Sequence, residues 1–399
     1  MKAKTDNTEA KSFKLNYFFM YGSLGLALPF FPVFLKNYGC GSSLIAFLQS
    51  LQPILLCFVP ALVGQWVSKG LLNREKLIVL SAWGSFLTIV PLFLEKSLTV
   101  LIVCLILHSP FRVIISPLVD ASCLEYLKRT GEEYGRLRLF GSLGFIIASL
   151  LGGSLFSIGP VVPFLIAYAL LQIGQIVTAN SLRRNFQNTQ TTAEAKNLSK
   201  TLIKVFWPPI ILFLLFSFLH QVSQGTYYVF YSIYINEQLN IPMDWIGAFW
   251  IIGVVAEIVI MFSYQRIWGK IKEEWVFIIS AILNAIRWWF TAHCTSIETM
   301  VLLQTLHAFS FGTYQVAAMR IIERQFPERS RSFGVGLFVS LSYGLGGVVG
   351  MNCAGWLSEL HNLRELFEFS AVIAILAAIP VFLMLLKSFQ PTSMANRST

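Results

Sequence analysis

Residues 98–119 read LTVLIVCLILHSPFRVIISPLV, with one charged side chain, Arg112, and no acid. A run of this length and character is a membrane-crossing helix, because at 1.5 Å per residue the hydrocarbon core takes about 20 apolar residues. Similar runs occupy 13–35, 44–67 and 77–94 before it, and 137–158 and 161–178 after it. Six more follow at 202–235, 245–264, 275–294, 300–322, 333–356 and 366–386. Numbered in chain order, they predict an all-α integral membrane protein with twelve transmembrane helices. The composition agrees, since 55% of the 399 residues are hydrophobic and 13% charged, against roughly a quarter charged in soluble domains. A water-soluble enzyme, a disordered chain and a disulfide scaffold are excluded.

The charges say which way the helices run. Lys and Arg number 30 against 20 Asp and Glu, a net charge of +10. In a soluble protein that excess suggests a nucleic-acid surface. Here 24 of the 30 cations fall in the N-terminal segment, the alternate loops and the C-terminal tail, Lys2, Lys69, Arg74, Arg183 and Lys387 among them. The opposite loops hold only Lys36, Lys96 and Arg364. Lys and Arg are retained on the cytoplasmic side, so both termini are expected in the cytoplasm, the chain in a cytoplasmic (inner) membrane, and nucleic acid is not an expected partner. The first apolar run is too long for a signal-peptide core and is expected to remain as the first span. The six cysteines are scattered, without Cys-x-x-Cys or paired-His spacing. They read as small packing residues, and neither a metal site nor a redox cofactor is expected.

One long polar interval, 180–201, separates six spans from six. The predicted organisation is an N-terminal six-helix bundle over 1–179, a cytoplasmic linker over 180–201, and a C-terminal six-helix bundle with a short tail over 202–399. Features recur at matching places. A basic loop follows the second span (Lys69, Arg74, Lys76) and the eighth (Arg266, Lys270, Lys272), and the fifth and eleventh spans are rich in glycine. Two pseudo-symmetric bundles that rock about a central site are one reading of such glycines. Ordinary tight packing is the other.

An ionisable group in the hydrocarbon region is costly unless it faces a partner or a cavity, so each one marks a candidate site. Glu257 lies twelve residues into span 8 and Arg287 twelve residues into span 9, each roughly 18 Å deep and near the midplane. Consecutive antiparallel helices bring them within reach of one another. His307 in span 10 falls close to the same level. A Glu257, Arg287 and His307 cluster whose protonation follows access is the functional reading, and a static ion pair is the alternative. Arg112 is a further membrane cation. Arg320 and Glu323, three apart at the inner end of span 10, read as a local surface pair.

The stretch Tyr134-Gly135-Arg136-Leu137-Arg138-Leu139-Phe140-Gly141-Ser142-Leu143-Gly144-Phe145, with Asn284-Ala285-Ile286-Arg287-Trp288 and Leu306-His307-Ala308-Phe309, resembles the major facilitator superfamily. The resemblance is to the branch holding the phenylpropionate permeases, lactose permease and the nucleoside:proton symporters. It implies the major facilitator fold and a set of roles. Asp120 and Arg138 stand at the spacing of the acidic and basic sugar-binding residues of lactose permease, with Phe145 where that protein stacks an aromatic on its sugar. Asp120 and Arg138 are placed to pair across a tight turn, with Arg136 an interfacial anchor. With Arg112, an extra cation that lactose permease lacks at the aligned position and that suits an anionic substrate, the candidate substrate set is Asp120, Arg138, Phe145, Arg112, Arg287 and Asn284, and the candidate proton-coupling set is Glu257, His307 and Arg287. Gly64, Lys69 and Arg74 fall in the family's cytoplasmic gate loop, with Ser68 where its aspartate usually stands. Ser310 replaces the family's span-10 coupling carboxylate.

The expected function is secondary transport of a small organic solute, an aromatic carboxylate, a sugar or a nucleoside, by alternating access. The proton is the expected coupling ion and import the expected direction. An antiporter, exporter or uncoupled facilitator of the same fold is the alternative, and a sensor that binds without flux is a remoter one. A membrane enzyme would need a nucleophile, base or metal-ligand cluster at one level, which the sequence does not offer. The partners expected are the small-molecule substrate and the lipid bilayer, and the resemblance implies a monomer.

Overall fold

A computed structural model describes residues 2–159, 161–185 and 208–388, and among the described residues there is no strand. Eleven of its helices are long and apolar enough to cross a membrane. Span 1 is Lys2–Tyr38, span 4 is Leu98–Thr130, span 5 is Tyr134–Ile158 and span 6 is Val162–Asn185. Span 8 is Met243–Trp268, span 9 Glu273–His293 and span 12 Leu363–Ser388. The remaining spans are interrupted, those of the first half for a local reason. In span 2 the helix Ser42–Leu56 stops and Val59–Ser68 resumes. In span 3 Arg74–Leu87 stops and Pro91–Leu94 resumes. A proline ring clashes with the carbonyl four residues back. Pro60 and Pro91 therefore end the preceding helices at Leu56 and Leu87.

Three interruptions lie in the second half and were not expected from the apolar runs. Span 7 is split into Pro208–Val222 and Gly225–Glu237. A Cβ at Gly225 would lie 2.2 Å from the Gly350 carbonyl carbon, so the break sits where spans 7 and 11 touch backbone to backbone. Span 10, predicted as one run over 300–322, is Ile297–Thr305, a π-helical stretch Ala308–Thr313, and Tyr314–Gln325. Span 11 carries a second π-helical stretch, Ser340–Gly346, between Arg331–Val339 and Gly347–Leu357. The predicted linker begins inside the helix of span 6, and from residue 186 it lies outside the described residues.

Burial is inverted relative to a soluble protein. Phe262 is 88% exposed, while Arg287, Asn284, Gln172 and Gln175 are fully buried. Large apolar side chains face outward because lipid is their solvent, and polar ones turn inward to find partners.

Two compact units are formed. The first draws its described residues from Met1–Ala195, Thr226–Ile251 and Met351–Leu363, the second from Lys196–Gly225, Ile252–Gly350 and Arg364–Thr399. In the first unit span 1 packs on spans 5 and 6, with Phe13, Tyr17, Tyr126 and Leu137 in its core. On the side opposite the N-terminus, the start of span 8 lies against span 5. A Cβ at Gly247 would sit 2.0 Å from the Ser149 carbonyl oxygen, so only glycine permits that approach. Ser154 donates to Asp244 at 3.1 Å, Ser43 to Glu359, and Lys36 pairs with Glu237. Cys40, in the same region, is buried, and burial pushes its thiol up to about 11, consistent with a packing role. In the second unit Phe213, Phe216, Phe277, Tyr314 and Phe338 form the core.

Candidate functional site

The second unit holds the predicted midplane charges, and it brings them together through His307. Arg287 Nη1 lies 3.0 Å from His307 Nδ1, and Nη2 donates to Gln304 Oε1 at 2.9 Å. Ser310 Oγ is 3.5 Å from Nη1. The guanidinium can only donate, so His307 Nδ1 must accept, and the ring proton of the neutral histidine sits on Nε2. That nitrogen faces Glu257 Oε2 at 4.0 Å. The imidazole thus meets Arg287 through one ring nitrogen and faces Glu257 with the other. The Arg287 plane also lies 4.3 Å from the Trp288 ring centre, a contact that suits a weakly hydrated planar cation.

The interrupted helices surround this cluster. The π-helical stretch of span 10 begins one residue after His307, and its carbonyls take side-chain donors. His220 Nε2 donates to Ser310 O at 2.7 Å, and Ser280 Oγ to Phe309 O at 2.9 Å. At the break in span 7, Gln224 Nε2 donates to Asn284 Oδ1 at 3.2 Å, and Asn284 Nδ2 to Ser223 Oγ at 2.9 Å. π-Helical turns concentrate at functional sites because they re-aim side chains and free backbone carbonyls. Gln304, Gln224, Ser223 and His220 were not singled out in the sequence. A polar residue inside an apolar run was the available signal, and it is a common one.

In the first unit Asp120 and Arg138 are near each other in sequence but do not form an ion pair among the described residues. Asp120 Oδ1 accepts from Tyr17 at 2.7 Å and from Tyr134 at 3.2 Å. Arg138 instead lies 3.5 Å from the Tyr21 ring centre. Tyrosines from spans 1 and 5 satisfy the carboxylate, and the guanidinium finds an aromatic face. Phe145 is buried, and its carbonyl lies 2.4 Å from where a Gly25 Cβ would be, so span 5 is seated on span 1 there. Arg136 is exposed and pairs with Glu133 at 3.1 Å.

Deeper in the same unit Arg112 donates to Gln175 Oε1 at 3.3 Å. His108 donates from Nδ1 to Ser85 O at 2.9 Å and takes the Tyr168 hydroxyl proton on Nε2 at 3.1 Å. Of the predicted gate-loop residues, Gly64 lies inside the helix Val59–Ser68 and Lys69 just after it, and both are exposed. Arg74 pairs with Glu125 and, at 3.3 Å, with Glu75, tying span 3 to span 4.

The second unit has a matching tie, in which Arg324 reaches Glu273 at 2.8 Å and Glu274 at 2.7 Å. The predicted Arg320–Glu323 pair is replaced. Arg320 faces Glu273 at 3.9 Å and Glu323 pairs with Arg331 at 3.4 Å, because the neighbouring helix presents its acids at the level of Arg320. No group of three or more His, Cys, Asp or Glu able to hold a metal ion occurs among the described residues.

The sequence profile of the family described as "MFS_1 like family" matches residues 11–369. The "Probable 3-phenylpropionic acid transporter" of Escherichia coli (strain K12) is 27% identical over 314 residues, covering 77% of this chain and 80% of that protein. The "Maltose permease" of Geobacillus stearothermophilus is 24% identical over 378 residues, 93% of each chain. Among solved structures, the nucleoside transporter NupG superposes with a TM-score of 0.82 at 15% identity, over 94% of this chain and 99% of that one.

Proposed function

The chain belongs to the MFS_1-like family of major facilitator transporters, and from that premise we propose that it is a proton-coupled importer of a small organic solute, working by alternating access. The observation that carries the reading is the placement of His307, its Nδ1 on Arg287 and its Nε2 toward Glu257. A carboxylate in the membrane interior is costly when charged. Arg287 and His307 are the cationic and polar neighbours that a charged Glu257 needs there, and a rearrangement that separates them from it takes that support away. Movement of the helices that carry Arg287 and His307 would thus load and unload a proton at Glu257. No other coupling ion and no cofactor is invoked.

The relatives support the substrate range of aromatic carboxylate, sugar or nucleoside, since their names include a 3-phenylpropionic acid transporter, a maltose permease and a nucleoside transporter. The six-span halves 1–179 and 202–399 are the proposed moving parts. The loop charges favour an inner-membrane protein with both termini cytoplasmic, and the functional unit is proposed to be a monomer.

Antiport or uncoupled facilitation is the second reading, favoured by the buried, neutral Ser310 where the resembling branch carries its coupling acid. Proteoliposome uptake of a labelled panel of aromatic acids, sugars and nucleosides, with external pH recorded, decides between them. A symporter alkalinises the medium on substrate addition, an antiporter acidifies it and a facilitator leaves it unchanged. Uptake indifferent to protonophore, with no pH change, would overturn proton coupling.

A further inference from the structure

Arg112 is a cation inside the first unit with no carboxylate in ion-pair contact among the described residues. Its hydrogen-bond partner is one neutral amide oxygen, Gln175 Oε1 at 3.3 Å, and its Nε is buried without a hydrogen-bond partner. Because the guanidinium needs the amide oxygen, the Gln175 amide is fixed in orientation. Its Nε2 is then a donor, also buried and without a partner. Gln172, nearly one turn along the same helix, engages Ser85 Oγ at 3.4 Å with one end of its amide and leaves the other end unmatched. Gln172 and Gln175 are both fully buried.

Buried polar groups are almost always matched, and those left over call for a ligand or an ordered water. A water can join one of these donors to Asn16 Oδ1, which also lacks a partner. It cannot supply the negative charge that a membrane-embedded guanidinium requires.

A mainly apolar cavity lies along the same two helices, one turn from these groups. His108 lies four residues before Arg112 on span 4, and Tyr168 four before Gln172 on span 6. Both line a mostly enclosed cavity together with Phe31, Phe34 and Phe164. Four residues of helix are roughly 6 Å, so on each helix the cavity-lining residue and the donor residue stand about one turn apart. His108 spends both ring nitrogens on Ser85 and Tyr168. The cavity is walled mainly by rings and aliphatic side chains, with the Gln52 amide and Ser109, whose hydroxyl donates to Leu105 O, as its other polar groups, and its space admits only a small body.

We propose that Arg112 and Gln175, with Gln172, form an anion site inside the first unit. The solute carried is a monocarboxylate whose short apolar tail enters the cavity beside His108 and Tyr168. This rests on the transport reading above and selects one of its substrate classes. The two carboxylate oxygens accept from the Arg112 guanidinium and the Gln175 amide, a charge-assisted arrangement that a sugar or nucleoside hydroxyl does not supply. Partial exposure of Arg112 makes its side the entry.

The test is ligand binding to the purified full chain in nanodiscs, read by calorimetry and by thermal shift. The probes are phenylacetate, hexanoate and acetate, with phenylacetamide as the neutral isostere. Phenylacetate and hexanoate are expected to bind at least tenfold more tightly than acetate or phenylacetamide. R112Q and Q175L each lower phenylacetate affinity tenfold or more. I89F narrows the cavity, which Ile89 also lines, and lowers phenylacetate affinity while leaving acetate unchanged. Should R112Q fail to yield folded protein, Q175L and the acid-against-amide comparison carry the result.

Equal affinity for phenylacetate and phenylacetamide, or unchanged affinity in Q175L, overturns the site. Protonophore-sensitive uptake of a sugar or nucleoside with no carboxylate binding overturns the site and leaves the transport reading standing. The expected binding pattern without flux of any panel solute overturns the transport reading and leaves the site.

Discussion

Two arginines within membrane spans, Arg287 buried and Arg112 partly exposed, are answered in different ways. Arg287 meets a histidine nitrogen, an amide oxygen and a hydroxyl, and the other histidine nitrogen faces Glu257. Arg112 meets one amide oxygen, and the donors beside it have nothing to bind. The charge is the same but its surroundings are not. A guanidinium with acceptors and a carboxylate at hand makes a self-contained unit whose remaining freedom is the position of a proton. A guanidinium with a single amide acceptor and no carboxylate in ion-pair contact among the described residues makes, on the proposed reading, a unit that an incoming anion completes. On the proposed function, ion coupling falls to the second unit and solute charge to the first.

The largest effect expected from that division is at Glu257. One inward charge is worth roughly 2.3 kcal/mol per 100 mV, about fifty-fold in concentration at 1.4 kcal/mol per decade. Glu257→Gln should collapse accumulation to equality across the membrane while exchange of labelled for unlabelled solute continues. Equal protonophore-sensitive uptake by variant and wild type would remove coupling from this cluster.

Next is a pair of stability measurements with opposite expected signs. Arg287→Gln leaves buried acceptors on Gln304 and His307 short of a donor, at about 1–3 kcal/mol for a group left unmatched. Its Tm in ligand-free nanodiscs should fall by several degrees. Arg112→Gln removes a charge that has no counterion, so Tm should hold or rise. If both variants fall alike, the contrast between the two sites is wrong.

The smallest effect is at Ser310, whose hydroxyl is 3.5 Å from Arg287, at the edge of hydrogen-bonding distance. Ser310→Ala should change stability by less than about 0.5 kcal/mol and leave the uptake ratio unchanged. A loss of accumulation would give the serine a part in coupling and sharpen the account of the second unit.

Much of the fold was legible because a membrane helix must satisfy its own backbone, so apolar run length translates into crossings. Helix stops in spans 2 and 3 could be read from Pro60 and Pro91. The break in span 7 and the π-helical stretches of spans 10 and 11 could not, since no residue there forbids an α-helix. They arise where backbones cross, at Gly225 on Gly350, and where side chains from other helices take the carbonyls of Phe309 and Ser310.

The candidate site was half legible. Depth along a helix set Glu257, Arg287 and His307 near one level. It did not say that the imidazole would meet Arg287 through one ring nitrogen and face Glu257 with the other. Asp120 illustrates the opposite case, because its spacing to Arg138 suggested a pair, yet Tyr17 and Tyr134 are its partners.

By itself the sequence determined the membrane environment, the succession of crossings and the depth of each ionisable group, because these follow from hydropathy and from rise per residue along a single helix. Partnership was decided by tertiary structure alone. Which side chain faces which depends on how each helix is rotated about its axis and how closely backbones approach, and that is fixed by packing among residues far apart in the chain. Gln175 beside Arg112, and His307 against Arg287 and facing Glu257, are the places where that decision becomes chemistry.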